Sequence, residues 1–418
     1  MIRRQAGFTL VELMITMVVF VFFIVAASQV FTGLLTQFKQ QSKMAETNIE
    51  GIVGLEILRQ DIEHAGYGLP WNVEIGWGAL SNYLEAASVG CTPNPSDFND
   101  APNNAPKAIL SGNNASFSGC GANSIFNGSD YLVIKAVNVG RNVACQKGTL
   151  LKAAPFTPPF NPREWTPALT PPQGEDLAPT DRVIVLRPGS TDANGRTLVV
   201  DTVPAFFTTY NIVTSSPWPP ADTMETRIVY GVDPDTDLRM PFNRADYYIW
   251  RNSTSTATDE VPDRCAPNTG VLRKAVISQN NGLRENPLPL LDCVADMQVI
   301  FGLDTNNNGI IGTYTDGNGT TFIPWPVGTP DETATFADIT ASFADAATLR
   351  QRLKEVRVYI LAHEGQRDVN HTYPTNPITV GEFGLGRSFN FVTAGITDWQ
   401  NYRWKIYTIV LKPTNLLR

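Results

Sequence analysis

The chain begins with MIRRQAGFTLVELMITMVVFVFFIVAASQVF, residues 1–31, and this stretch decides how the remainder is organised. The twenty residues from Phe8 to Ala27 are almost all apolar. As a helix rising about 1.5 Å per residue, a segment of that length crosses the hydrocarbon core of a bilayer, which is roughly 30 Å thick. Arg3 and Arg4 precede the segment, and positive charge there favours a cytoplasmic N-terminus. We therefore expect one membrane-spanning helix, with the remaining chain on the outer side.

One acidic residue distinguishes this segment from an ordinary membrane anchor. Glu12 lies inside the apolar run, where a carboxylate costs on the order of 2 to 3 kcal/mol in an isolated helix. Such a residue is expected to have a function and a partner. Cleavage between Gly7 and Phe8 would create an α-amine with a pKa of about 8, largely cationic and only about a helix turn from Glu12 in depth. A neighbouring molecule, displaced along the helix axis, is then able to present that amine to Glu12.

The run Gly7-Phe8-Thr9-Leu10-Val11-Glu12-Leu13 resembles the class III signal of the type IV prepilins and pseudopilins. The resemblance implies that a prepilin peptidase cuts after Gly7 and N-methylates Phe8, and that Glu12 guides the subunit into a growing filament. Two other interpretations stay open, namely a secretory signal cleaved near Ala26-Ala27-Ser28 and an uncleaved single-pass anchor. Neither accounts for a glutamate inside the apolar region.

Composition indicates a large exported globular part. The chain has 418 residues, of which 43% are hydrophobic and only 17% charged, and its net charge is −8. Because the overall charge is acidic, we expect no binding of nucleic acid. The 32 glycines and 30 prolines favour β-structure with long turns. The expected fold class is α+β, in which a long N-terminal helix packs on an antiparallel β-sheet domain with long loops and insertions, and the prepilin resemblance implies that this domain is pilin-like.

The helix is expected to continue past the membrane, because residues 28–65 contain no proline. Apolar residues at spacings of three and four predict a stripe that packs on the globular domain. The members of the stripe are Ile52, Leu55, Leu58, Ile62 and Ala65. Glycines at 33, 51 and 54 are expected to weaken the helix and to permit bends. The helix should end at the glycines and proline of residues 66–70.

The predicted cleavage site, the membrane span and the end of the helix divide the chain into four parts. A leader comprises residues 1–7, a transmembrane or filament-core helix residues 8–35, its amphipathic continuation residues 36–66, and a β-rich exported domain residues 67–418. Within the last part, residues 71–125 are predicted to form loops, and the proline-rich residues 155–180 an extended insertion.

Short, turn-bounded runs rich in Val, Ile, Thr and Tyr predict the strands of the exported domain. The predicted strands are Tyr131–Val139, Arg182–Arg187, Thr197–Val203, Thr226–Val232, Asp246–Arg251, Met297–Leu303, Val356–Ala362 and Trp404–Leu411. A brief helix is predicted for Ala346–Lys354.

All five cysteines follow the membrane span, so they lie in an oxidising compartment if the predicted orientation is right. We favour a disulfide between Cys265 and Cys293, because each lies at the edge of a strand-like run. A second disulfide is expected for one pair among Cys91, Cys120 and Cys145. The alternative is that some of these thiols are reduced and buried as small hydrophobic groups.

Several later segments, in their order, resemble the PilW-like minor pilins. They are Leu58–Tyr67, Tyr247–Arg251, Val271–Arg273, Asp292–Asp304 and Leu353–Tyr359. The resemblance implies a role in initiating or assembling a type IV pilus and a single-pass protein of the inner membrane, with its globular domain in the periplasm and later at the cell surface. The implied partners are a prepilin peptidase, other minor and major pilins, the assembly platform and membrane lipid. A minor pseudopilin of a type II secretion system and a tip adhesin are the alternatives.

No enzymatic activity and no cofactor are expected, with one alternative. Asp304, Asn306 and Asn308 resemble the first half of an EF-hand calcium loop, and Asp316 lies one place beyond the position of the usual glutamate. Because the ligand set is incomplete and Asn-Gly favours a hairpin, a plain turn is the preferred interpretation. His363 and His371 lack the short spacing of a zinc-binding helix and are expected to be surface or hydrogen-bonded histidines.

Overall fold

The computed structural model describes residues 9–90, 94–114, 123–125, 128–153, 160–163, 176–189, 195–202, 205–252, 261–317, 319, 321–324 and 334–416. Three α-helices lie in these ranges: α1 (Leu10–Glu63), α2 (Phe336–Ala344) and α3 (Ala346–Arg352). Short 3₁₀ helices comprise Trp77–Ala79, Pro95–Phe98, Val137–Val139, Val143–Gln146, Tyr210–Ile212 and Trp399–Asn401.

The strands, numbered in chain order, are β1 (Asn72–Val73), β2 (Ile109–Gly112), β3 (Asn123–Ile125), β4 (Tyr131–Ala136), β5 (Gly148–Ala153), β6 (Phe160–Pro162), β7 (Arg182–Arg187), β8 (Thr197–Leu198), β9 (Thr208–Thr209), β10 (Arg227–Asp233), β11 (Asn243–Asn252), β12 (Gly270–Ile277), β13 (Arg284–Leu303), β14 (Thr313–Asp316), β15 (Phe322–Pro324), β16 (Leu353–Glu364), β17 (Ile378–Val380), β18 (Arg387–Phe389) and β19 (Arg403–Leu411). The predicted α+β fold class is confirmed, with the long helix at the N-terminus and β-structure after it.

Two main sheets form the globular part. The larger has the order β15-β14-β13-β12-β11-β4-β2, with β16 and β19 extending from β13 and with β3 beside β11. The smaller has the order β1-β8-β7-β10-β5-β6, with β9 beside β7. Strands β17 and β18 form a separate hairpin. Every described pairing is antiparallel except that of β1 with β8.

The central strand, β13, changes partners along its 20 residues. Its first half pairs with β12, from Arg284 opposite Ile277 to Val294 opposite Gly270. Its second half pairs with β16 on one side and with β14 on the other. At Cys293, where the two halves join, the backbone has a φ of 58°. One strand therefore links the two ends of the larger sheet.

The second half of α1 packs against β13, β16 and β19. Leu55, Leu58, Ile62 and Ala65 are buried there, as the stripe predicts. Ile52 is 63% exposed, so its assignment to the stripe is wrong. The contact face passes instead through Gly51 and Gly54, because these positions let the helix backbone approach the sheet. A Cβ at Gly54 would lie only 1.8 Å from the carbonyl oxygen of Leu290.

Several predicted boundaries need correction. The strand predicted for Tyr131–Val139 ends at Ala136, where the chain turns into a 3₁₀ helix. That predicted for Thr197–Val203 is only two residues long in the described chain. Residues 71–125 contain strands β1, β2 and β3 as well as loops, because strands elsewhere in the chain pair with them. Most of the proline-rich residues 155–180 lie outside the described residues, and β6 pairs with β5.

Candidate assembly helix and its attachment to the globular domain

The first turn of α1 contains a capping box. The backbone N–H and the hydroxyl of Thr9 both donate to Glu12 Oε2, at 3.0 and 2.9 Å, and the Glu12 N–H donates to Thr9 Oγ1 at 3.3 Å. Glu12 thereby satisfies donors at the helix start that have no partner within the helix. Gly7 and Phe8, where cleavage and methylation are predicted, lie outside the described residues.

The first half of α1 leaves its apolar side chains uncovered. Within the described chain, Leu10–Lys39 is the one helical stretch long and apolar enough to cross a membrane, and none of its most apolar window is buried. Phe20, Phe22 and Phe23 are each at least 66% exposed. Apolar surface on this scale needs lipid or neighbouring helices to cover it.

A buried ionic contact joins the second half of α1 to the larger sheet. The Tyr247 hydroxyl, from β11, and the Lys274 ammonium, from β12, both donate to Asp61 Oδ2. Burial raises the pKa of Asp61, and the nearby ammonium of Lys274 opposes that rise. Sequence analysis did not single out this contact, although two of its members fall in segments that carry the minor-pilin resemblance.

The end of α1 also contacts the C-terminal segment of the chain. The N–H of Thr414 donates to the Glu63 carbonyl at 3.0 Å, and Asn415 Nδ2 donates to the His64 carbonyl at 3.3 Å. Gly66 follows with a φ of 82°, which a residue with a side chain rarely adopts. The helix ends at Glu63 with His64 as its C-cap, three residues before Gly66, where the sequence predicts its end.

The cysteines take two different states. Cys265 and Cys293 form a disulfide, the pair that sequence analysis favours. Cys145 is a buried free thiol whose Sγ donates to the Val232 carbonyl at 2.7 Å, so within the described chain it is not part of a second disulfide. Cys91 and Cys120 lie outside the described residues.

His363 lies beside the Cys265–Cys293 disulfide. Its Nε2 accepts a hydrogen bond from the Ala266 N–H at 2.8 Å. Burial lowers the pKa of this imidazole to about 3, so the ring is neutral. Because the two sulfur atoms are joined to each other, they are not available as thiolate ligands. The group is therefore a packed disulfide with a hydrogen-bonded histidine.

The loop that resembles an EF-hand uses its polar side chains on its own backbone. Asp304 Oδ1 and Oδ2 accept from the N–H groups of Asn308 and Gly309, at 3.0 and 2.8 Å. Asn306 and Asn308 accept from N–H groups two residues further on. Asp316 accepts from the Thr321 N–H in the next turn. These bonds fit the preferred turn interpretation, and calcium binding stays the untested alternative.

Residues 2–28 match the family model of the prokaryotic N-terminal methylation motif. The chain carries a prepilin-type N-terminal methylation motif. That motif implies processing by a prepilin peptidase, and together with the apolar helix it indicates membrane anchoring.

Among solved structures, a type IV-like pilin from Thermus thermophilus matches 42% of this chain and 67% of its own, with 12% identity and a TM-score of 0.21. At this TM-score and identity, the similarity supports no conclusion about function. No curated protein sequence matches the chain.

Proposed function

We propose that the protein is a minor pilin that takes part in initiating or assembling a type IV pilus. The observation that carries this proposal is the methylation motif at the start of a helix whose first half leaves its apolar side chains uncovered. In the membrane, lipid covers those side chains. In a filament, the helices of neighbouring subunits replace the lipid, and van der Waals packing and hydrogen bonds drive their association.

The proposed maturation begins in the inner membrane, with the N-terminus in the cytoplasm and the globular domain in the periplasm. A prepilin peptidase cleaves after Gly7 and methylates Phe8. The assembly platform then adds the subunit to other minor and major pilins, which carry it to the cell surface. Glu12 pairs with the α-amine of a neighbouring subunit, because an unpaired carboxylate in an apolar bundle is costly and pairing fixes the register between helices.

The first test examines the N-terminus of the native protein by mass spectrometry. The expected mature chain begins at Phe8 and carries one methyl group on its α-amine. A chain that begins at Met1, or near Gln29, would contradict the proposal.

The second test replaces Glu12 with alanine in the full-length protein. We expect Glu12→Ala to insert into the membrane and to be cleaved, but to be missing from sheared pili, because the pairing is lost. Glu56→Ala is the matched control, since Glu56 is an exposed glutamate further along the same helix. Normal incorporation of Glu12→Ala would overturn the role of this residue, and a loss of protein secretion with intact pili would favour a type II pseudopilin.

A further inference from the structure

A lysine lies between two carboxylates in the interior of the larger sheet. Lys135, on β4, has its Nζ 2.6 Å from Glu85 Oε2 and 2.7 Å from Asp100 Oδ2. The exposed fractions of these side chains are 0% for Lys135, 0% for Glu85 and 2% for Asp100. The amine and both acids are thus in contact and out of water.

The two carboxylates are held by the backbone around them. Glu85 Oε1 accepts from the N–H groups of Asp100 and Ala101, at 2.9 and 3.2 Å, which fixes it beside the Asp100 side chain. Asp100 Oδ2 accepts from the Lys107 N–H at 2.8 Å, and Oδ1 accepts from the Lys107 ammonium at 3.0 Å. Both oxygens of Asp100 are therefore polarised by donors other than Lys135.

Arg244 and Asp246 add one positive and one negative side chain beside Glu85. Arg244 lies with Nη1 3.4 Å from Glu85 Oε2, and its Nε is 2.8 Å from the buried Asp246. Burial alone would raise the pKa of Asp100, but the ammonium groups of Lys135 and Lys107 outweigh it and hold that pKa below the usual value. The resting state is an ion pair. Transfer of one proton from Lys135 to a neighbouring carboxylate leaves the net charge unchanged and removes two charges from a dry site.

We propose that Lys135 and Asp100 condense into an intramolecular isopeptide bond, with Glu85 as the proton carrier. The Lys135 ammonium gives one proton to Glu85, which passes it to Asp100 Oδ2, and the free electron pair of the amine then attacks Cγ of the neutral acid. A C–N bond forms, a C–O bond of the carboxyl group breaks, and the oxygen leaves as water with two of the three ammonium protons. Glu85 carries a second proton from the nitrogen to the leaving oxygen in the same way and ends unchanged, so the reaction needs no other reactant.

The site supplies what this condensation needs. Groups held in reactive contact have effective concentrations of roughly 10⁵ to 10⁸ M, which favours amide formation over the separated acid and amine. The Lys107 ammonium at Asp100 Oδ1 stabilises the negative charge that develops on the oxygen that remains. A buried carboxylate within hydrogen-bond distance of the amine is a suitable general base.

A second buried lysine and aspartate provide an internal comparison. Lys274 contacts Asp61, but the third group at that carboxylate is the Tyr247 hydroxyl, not a second acid. Burial raises the pKa of the Tyr247 hydroxyl well above its ordinary value of about 10, so the phenol stays protonated and provides no base for the ammonium proton. Lys274 should therefore stay a free amine.

The test is a tryptic map of the full-length protein after reduction and alkylation, which removes any disulfide between peptides. Trypsin should fail to cleave after Lys135 and should yield residues 60–107 joined to residues 108–141. The joined peptide should be lighter than the sum of its parts by one water molecule. Cleavage after Lys274 should be complete. Complete cleavage after Lys135, with both peptides at their own masses, would show a permanent ion pair and overturn the proposal.

Two variants assign the role of Glu85. Glu85→Gln keeps the size of the side chain but removes the base, so cleavage after Lys135 should return. Asp246→Asn is the matched control, because it alters the same buried network outside the reacting groups and should retain the bond. An intact bond in Glu85→Gln would contradict the proton-carrier role. The tryptic map of the unaltered protein tests whether the isopeptide bond exists, and that result does not depend on whether either variant folds.

Discussion

At the scale of single residues, Glu12 and Asp61 show what local sequence can reveal. The spacing Thr-x-x-Glu at residues 9–12 is the pattern of a capping box, so the contact of Glu12 with Thr9 was available from the sequence. The sequence-based expectation pairs Glu12 with an amine on a neighbouring molecule and omits this local contact. The partners of Asp61 are 186 and 213 residues away. No local pattern specifies contacts over such distances.

The buried Asp296, on β13, makes the stability of the protein depend on pH. Burial raises the pKa of Asp296 to about 7. Between roughly pH 4 and pH 7 the folded protein therefore keeps a proton that the unfolded chain releases, and the free energy of unfolding falls as the pH rises through that window. Asp296 Oδ1 accepts two hydrogen bonds, whereas Oδ2 has no hydrogen-bond partner among the described residues.

We predict that Asp296→Asn leaves stability unchanged near pH 5 and raises it by about 1 to 4 kcal/mol at pH 8. The amide resembles the protonated acid and keeps the Oδ1 acceptor, but it does not ionise. Thermal unfolding of the full-length protein in detergent, measured across this pH range, checks the result. Asp235→Asn, at an exposed position, should give the same profile as the unaltered protein. Equal stability of Asp296→Asn and the unaltered protein at pH 8 would contradict the prediction.

At the scale of secondary-structure elements, the glycines of α1 have a role that composition alone does not indicate. The sequence predicts that Gly33, Gly51 and Gly54 weaken the helix locally and permit bends, and α1 runs as one element of 54 residues through all three positions. Gly54 faces the Leu290 carbonyl of β13, so the missing side chain allows close packing of helix on strand. Gly33 has no described neighbour within 4 Å of where a Cβ would be placed.

Because Gly54 faces β13 and Gly33 has open space around it, replacement by alanine is predicted to have opposite effects at the two positions. Gly54→Ala should destabilise the attachment of α1 to the sheet by about 1 to 3 kcal/mol, because the helix must move away from β13. Gly33→Ala should be neutral or stabilise the helix by up to about 1 kcal/mol. Amide hydrogen exchange of residues 51–63 in detergent reports on the attachment. Unchanged protection in Gly54→Ala would argue against close contact at this position.

Strands defined by local pattern were predicted well, and strands defined by distant partners were not. The limits of β7 agree with the prediction, because its RVIVLR run is flanked by turn residues. The predicted core of β13 was correct, but its first half contains two prolines and was missed. Proline removes a backbone donor, and this half is nevertheless held by β12 through pairings that shift register.

At the scale of the whole molecule, one disulfide supports the point where β13 changes partners. It joins Cys293 to Cys265, which precedes β12 and is 28 residues away in sequence. A bond that closes a loop of this size is worth about 2 to 4 kcal/mol, chiefly because it restricts the unfolded chain. The sequence allowed this pairing to be favoured, since both cysteines lie at the edges of strand-like runs. No local sequence pattern predicts the order of the strands around this disulfide.

We predict that the double substitution Cys265→Ala and Cys293→Ala lowers the free energy of unfolding by that amount. Urea unfolding of the full-length protein in detergent should show the midpoint at lower urea. Cys145→Ser is the matched control, because the hydroxyl can make the hydrogen bond that the buried thiol makes with Val232. If the double variant unfolds at the same urea concentration as the control, the disulfide does not stabilise the sheet.

The contact between the end of α1 and Thr414 has a consequence for how the protein is made. These two places are 351 residues apart, and β19, which ends just before Thr414, also packs against the helix. Contacts of such long range form only after the intervening chain is available, and their loop-closure entropy slows them. The end of α1, which is synthesised early, therefore completes its docking only after the chain has been made as far as Thr414.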